Sequence, residues 1–76
     1  MSADAHALFP STHQAVWAEH VLVAAGLAAR LVPVPRHLSS DCGYCLRLAA
    51  DQCARAEALL REAGVELERV VVEPER

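Results

Sequence analysis

The sequence predicts an α+β domain in which one four-stranded antiparallel sheet carries two helices on one of its faces, in the chain order β-α-β-β-α-β. Three observations lead there. Two segments of helical period end at glycines, Gly26 and Gly64, and each is followed by a run rich in branched residues. Between them, Tyr44 to Leu48 alternates as a strand does, with Tyr44, Leu46 and Leu48 on one side and Cys45 and Arg47 on the other. The hydrophobic fraction is 54% against 4% aromatic, so Ala, Val and Leu must fill the interior and let helices lie close on a sheet. At 76 residues the chain reads as a single domain, residues 1–76, near the small end of what folds alone, and dimerisation is a natural supplement.

In chain order, Ala5 to Phe9 reads as a short first strand closed by Pro10. Ser11 stands three residues before Gln14, the spacing of a capping box, and opens a helix from about Thr12 to Ala25. Ala15, Ala18, Leu22 and Ala25 form its small-residue stripe toward the sheet, with His13, Trp17, His20 and Ala24 on another face. Gly26 stops it in the left-handed conformation that glycine adopts at low cost. Leu27 to Val34 is expected as the second strand, an edge strand near its end because Pro33 and Pro35 cannot donate to a ladder. A polar loop leads to the third strand at Tyr44 to Leu48. Asp51 is expected to cap the second helix, whose Cys53, Ala56, Leu59, Leu60 and Ala63 follow the apolar period up to Gly64. Val65 to Val72 closes the sheet. The whole corresponds to a ferredoxin-like sandwich.

Composition removes several functions. The net charge is −3, and Phe9, Trp17 and Tyr44 are too few and scattered to form a stacking platform, so a nucleic-acid partner is disfavoured. Every basic residue is Arg, which excludes a Schiff-base lysine and a Walker-type phosphate loop. Met1-Ser2-Ala3-Asp4 lacks the basic start and apolar run of a signal peptide, and no apolar stretch is long enough for a bilayer. A cytoplasmic protein with no membrane association is expected. Three cysteines in a reducing compartment point to chemistry or metal binding more than to a disulfide framework.

The stretch from Arg36 to Arg47 concentrates the chemistry. Cys42 lies in a polar loop just before a strand, and a thiol there reacts as its thiolate, which nearby cations or backbone N–H groups favour. Arg36, His37 and Arg47 are the candidate cations, and Asp41 opposes them. Gly43 supplies open space and backbone access beside the sulfur. Cys45 admits three readings: a resolving thiol for Cys42, a second metal ligand, or a structural residue on the sheet.

Phe9 with Ser11-Thr12-His13, Ala15, Ala18-Glu19, Leu22 and Gly26, then Pro35-Arg36, Leu38-Ser39, Cys42-Gly43 and Leu46-Arg47, resemble a small bacterial family of selenium/sulfur carrier-like proteins. The resemblance covers nearly the whole chain, and its most specific part is the Pro-Arg, Ser, Cys-Gly, Leu-Arg succession. It implies an accessory protein of sulfur or selenium handling, not a turnover enzyme, with Cys42 as the carrier residue and no cofactor. Position 45 is more usually a small residue such as Ala in that family, so Cys45 sets this sequence apart from a single-thiol carrier.

The resemblance makes the first expectation a carrier that accepts sulfur or selenium on Cys42 as a persulfide or selenosulfide, with Arg36, Gly43 and Arg47 shaping the loop. Its partners would be a donor protein of the desulfurase type and an acceptor that the sequence does not identify. From another class comes a non-catalytic interaction module that forms a homodimer through a sheet edge or the Trp17 face, since an exposed Trp is a common interface anchor. The third reading uses Cys42 and Cys45 together as a redox pair or in a zinc site with His37. Residues three apart in an extended strand are about 10 Å from each other, beyond disulfide reach. The layout also lacks the helix opening at the Cys-x-x-Cys and the later strand entered through Pro that a glutaredoxin-like fold needs. For zinc, a structural site wants four ligands, and the sequence holds no second Cys or His pair at suitable spacing. Cys53 falls on the apolar stripe of the second helix and reads as core.

Overall fold

The computed structural model describes residues 4–35, 38 and 43–73, with the side chain of Glu73 excepted. The elements follow in the expected order: strand β1 (Asp4–Leu8), helix α1 (Thr12–Ala24), strand β2 (Arg30–Pro33), strand β3 (Tyr44–Ala49), a 3-10 turn (Ala50–Gln52), helix α2 (Cys53–Ala63) and strand β4 (Arg69–Glu73). The strands form one antiparallel sheet in the spatial order β2-β3-β1-β4, so the fold is the ferredoxin-like α+β sandwich.

Parity sets the two faces of the sheet. Ala5 and Ala7 of β1, with Leu46 and Leu48 of β3, join Phe9, Ala15, Ala18, Leu22, Ala56 and Leu60 in the core between sheet and helices. Leu31 of β2 and Val70 of β4 pack on its margins. Alanines on both β1 and α1 bring the backbones close, so a small aromatic count suffices to fill the layer. On the opposite face the register aligns Val32, Cys45, Leu8 and Arg69 in one row and Arg30, Arg47, His6 and Val71 in the next. Leu8 and Cys45 are fully buried there, and His6 nearly so.

The helix ends differ from expectation in an instructive way. After α1, Gly26 at φ +88° donates to the carbonyl of Val23 and Leu27 donates to that of Leu22. After α2, Gly64 at φ +84° donates to Arg61 and Val65 donates to Leu60. Both are Schellman closures, each with the expected apolar contact, because Leu27 and Val65 are buried beside the turns they close. Leu27 and Val65 were expected to open strands. Their N–H groups are spent on the caps instead, so β2 begins only at Arg30 and β4 only at Arg69.

One further boundary shifts. Ser11 caps α1 as expected, its hydroxyl accepting from the Gln14 N–H at 3.3 Å. Asp51 does not cap α2. It is exposed within the 3-10 turn, and the residue preceding the helix is Gln52, whose side chain makes no capping bond. The chain leaves β3 through a tightened turn, in which the Cys53 N–H donates to the Ala50 carbonyl and not to a carboxylate.

Candidate functional site

The site is framed by the open end of the β2–β3 hairpin. The last ladder pair is Pro33 with Tyr44, and beyond it the Val34 N–H donates to the Gly43 carbonyl at 3.1 Å. Leu38 donates to the Pro35 carbonyl at 3.0 Å, an i to i+3 bond made as soon as the chain leaves β2. Residues 35–42 therefore connect two strands whose ends are hydrogen-bonded together. Cys42 and Arg36, like His37 and Asp41, lie outside the described residues.

Gly43 is the described residue next to Cys42. It is exposed at φ +77°, and a Cβ built on it would meet nothing within 4 Å. The demand for glycine here is thus one of backbone conformation, not of room. A left-handed residue at the foot of β3 turns the chain out of the ladder before the pleat begins. Tyr44 follows with 43% of its surface exposed.

The remaining predicted site residues are placed elsewhere. Cys45 is fully buried on the face away from the helices, in an extended strand, with Leu8 and Val32 as its cross-strand neighbours. That burial supports the structural reading of the three, since a resolving thiol has to reach solvent to meet a mixed disulfide. Arg47 stands four residues along β3 from Gly43, about 13 Å at strand rise. Its guanidinium turns farther still, to the Asp4 carboxylate at 3.1 Å, and both side chains are about half exposed. Arg47 is accordingly a surface ion-pair partner of Asp4 at the other end of the hairpin, and its relation to the thiol of Cys42 lies outside the described residues.

Cys53 begins α2 at that far end of β3. Its Sγ lies 3.9 Å from the Ala49 carbonyl, and it packs against the core margin. Burial raises its thiol pKa above the ordinary 9.0, and the Glu57 and Asp51 carboxylates raise it further. A raised pKa keeps the thiol protonated at neutral pH and lowers its reactivity. Among the described residues no three His, Cys, Asp or Glu side chains converge on a point that could hold a metal ion.

The residue that sequence reasoning missed is Glu19. Its Oε2 accepts the Leu31 N–H at 2.9 Å, tying α1 to the outer edge of β2. Because Val34 donates inward to β3, the outward-facing donor positions of β2 are Leu31 and Pro33. Glu19 occupies the first and proline abolishes the second, so the edge that borders the thiol loop offers no N–H for strand addition. A signal was present: Glu19 is the only charged residue of α1. Gln14, read from the sequence as the far half of a capping box, has a second role that was not read: its Oε1 accepts the Glu66 N–H at 2.9 Å and holds the connection into β4.

Residues 4–72 match the model of the family described as "Putative Se/S carrier protein-like". Among curated proteins and among solved structures none matches the chain.

Proposed function

Since the chain belongs to this Se/S carrier-like family, we propose that it carries sulfur or selenium on Cys42. The supporting observation is the frame at Gly43: an exposed left-handed residue, directly following Cys42 in the chain, at the hydrogen-bonded mouth of the β2–β3 hairpin. The strands on either side are pinned by the Val34 to Gly43 bond, by Leu38 to Pro35 and by Glu19 on the outer edge. Such a frame lets a loop thiol be offered to a partner without disturbing the sheet.

In the reaction the Cys42 thiolate attacks the outer sulfur of a donor's persulfide. A new S–S bond forms, the donor's S–S bond breaks, and the donor leaves as its thiolate, so no external oxidant or reductant is required. Transfer to an acceptor repeats the exchange in the other direction. With selenium the carried species is a selenosulfide. Arg36 and His37 are the cations nearest in sequence for stabilising the thiolate, and Asp41 sets an opposing charge. The donor is a desulfurase-type protein, the acceptor a second protein or a small thiol, and the compartment a reducing one such as the cytoplasm. Cys45 and Cys53 take no part, the first because it is buried and the second because its thiol is held protonated.

Incubation with a small-molecule persulfide donor followed by intact-mass measurement tests this. One added sulfur, removable by dithiothreitol, is expected on the wild type and on Cys45→Ala and Cys53→Ala, with none on Cys42→Ala. An unmodified wild type, or an adduct that persists in Cys42→Ala, overturns the assignment.

A further inference from the structure

The two edges of the sheet are not alike. At the β2 edge Glu19 takes the Leu31 N–H and Pro33 has none to give. At the β4 edge the phase of the ladder decides which groups are left over. Val34 donates to Gly43, so Val32 and Arg30 face β3, and by register Cys45 and Arg47 face β2. Leu46 and Leu48 then face Ala7 and Ala5, which leaves His6 and Leu8 to face Val71 and Arg69. The Leu8 carbonyl, accepting the Glu68 N–H at 2.8 Å, gives the same phase independently. Val70 and Val72 therefore turn their N–H and C=O groups away from the sheet. Among the described residues no loop backbone or side chain is bonded to them, and Val72 is 54% exposed.

Unpaired main-chain groups on a run of β-branched residues are a template for another strand, and sheet proteins usually blunt such an edge. This template is short and has fixed limits, because Glu68 spends its N–H on Leu8 and Pro74 has no N–H. Against a copy of this chain, the register that uses both Val70 and Val72 is antiparallel and centred on Val71. Val70 of one copy then exchanges bonds with Val72 of the other, and Val71 meets Val71 on the two-fold axis. The same register, with no further choice, sets Arg69 of each copy opposite Glu73 of the other. A parallel pairing would set Arg69 against Arg69 and Glu73 against Glu73. Opposite charges placed symmetrically about Val71 thus favour a second copy as the occupant, although the chain as a whole carries −3.

We propose that β4 is the contact strand of a two-fold homodimer, in which it pairs antiparallel with β4 of a second copy about Val71 and joins the two sheets into one. Because Glu19 and Pro33 close the β2 edge, the joined sheet offers no further open edge and assembly stops at two copies. The contact is at the small end of specific interfaces, so the dimer forms at micromolar and not nanomolar concentration. It does not use Cys42. The hairpin mouths, just beyond the level of Leu8 and Arg69, fall at opposite ends of the joined sheet and stay open in both copies.

Sedimentation velocity over a concentration series reads this out. The wild type is expected to pass from monomer to dimer and no further. Val72→Pro removes an outward N–H and no bond to β1, so it should stay monomeric with an unchanged circular dichroism spectrum. Arg69→Glu and Glu73→Arg should each weaken association several-fold at low salt, and the two together should restore it. Register is tested by cysteine pairing in a glutathione redox buffer, in a background of Cys42→Ser and Cys53→Ala. Val71→Cys meets itself across the axis within disulfide reach and should cross-link readily, whereas Val72→Cys, more exposed but displaced along the strand from its own copy, should not. A wild type that remains monomeric to high concentration or grows beyond a dimer overturns the proposal. So does a Val72→Pro variant that still dimerises, a double charge exchange that fails to restore association, or a Val72→Cys variant that cross-links as fast as Val71→Cys.

Discussion

Gly43 illustrates how one backbone angle can matter more than any contact. Alanine there finds empty space yet must hold φ near +77°, at a cost of about 1–2 kcal/mol. Gly43→Ala should therefore lower the unfolding free energy from urea denaturation by that amount, while Gly43→Asn, which tolerates the left-handed region, recovers part of it. Equal losses for the two would mean that side-chain packing, not conformation, sets the requirement. Cys53 gives a pH-dependent counterpart. Its folded thiol titrates above 9.0 while the unfolded one does not, so the stability it contributes is whole below pH 9.0 and declines as pH rises toward the folded value. Denaturation curves between pH 8 and 11 should show a steeper alkaline loss in the wild type than in Cys53→Ala. At this scale the sequence was readable where the cause is local. The Cys42-Gly43 pair before an alternating strand marked the hairpin mouth, and alternation placed Cys45 opposite Leu46 and Leu48. The partner of Arg47 was not readable, because Asp4 is 43 residues away and only the β1–β3 register brings them together.

Among the elements, the same Schellman closure ends both helices, and it accounts for the strands being shorter than a run of branched residues suggests. Leu27 and Val65 look like strand residues by type, yet each serves as the apolar plug of a helix end. The glycines and the helices were legible; the division of the following residues between cap and strand was not, since it depends on where each N–H is used. The β2 edge shows the other limit. Pro33 announced an edge strand, but the acceptor covering Leu31 belongs to a helix twelve residues earlier. Glu19→Ala would leave that amide without its acceptor at a part-buried site and should cost about 1–3 kcal/mol. Hydrogen exchange can localise the effect: the amides of β2 and those of Cys45 and Arg47, which face β2 in the ladder, should exchange faster while those of β1 and β4 keep their protection. Uniform acceleration across the sheet would instead make Glu19 part of the global core.

For the whole molecule, the decisive quantity is how little large apolar volume holds 76 residues together. The helix-side core is rich in Ala5, Ala7, Ala15, Ala18, Ala29 and Ala56, leaving Phe9, Leu22, Leu46 and Leu60 as its largest fully buried side chains. A domain of this length has roughly 4–11 kcal/mol of stability. Leu46 sits at the sheet centre between Ala7 and Leu31, and Leu46→Ala should remove about 2–5 kcal/mol, a large share of that total. Cys45, its neighbour in the chain but on the other face, is a built-in reporter of the loss. With zero exposure its thiol meets a reagent such as an aromatic disulfide only when the sheet opens. In a background of Cys42→Ser and Cys53→Ala, Cys45 should label far more slowly than an exposed thiol. Adding Leu46→Ala should accelerate that labelling by about 30-fold to several thousand-fold, the same free energy expressed as an opening equilibrium. Fast labelling of Cys45 without Leu46→Ala would show that this face opens locally, and would return Cys45 to the chemistry of the hairpin as an accessible second thiol.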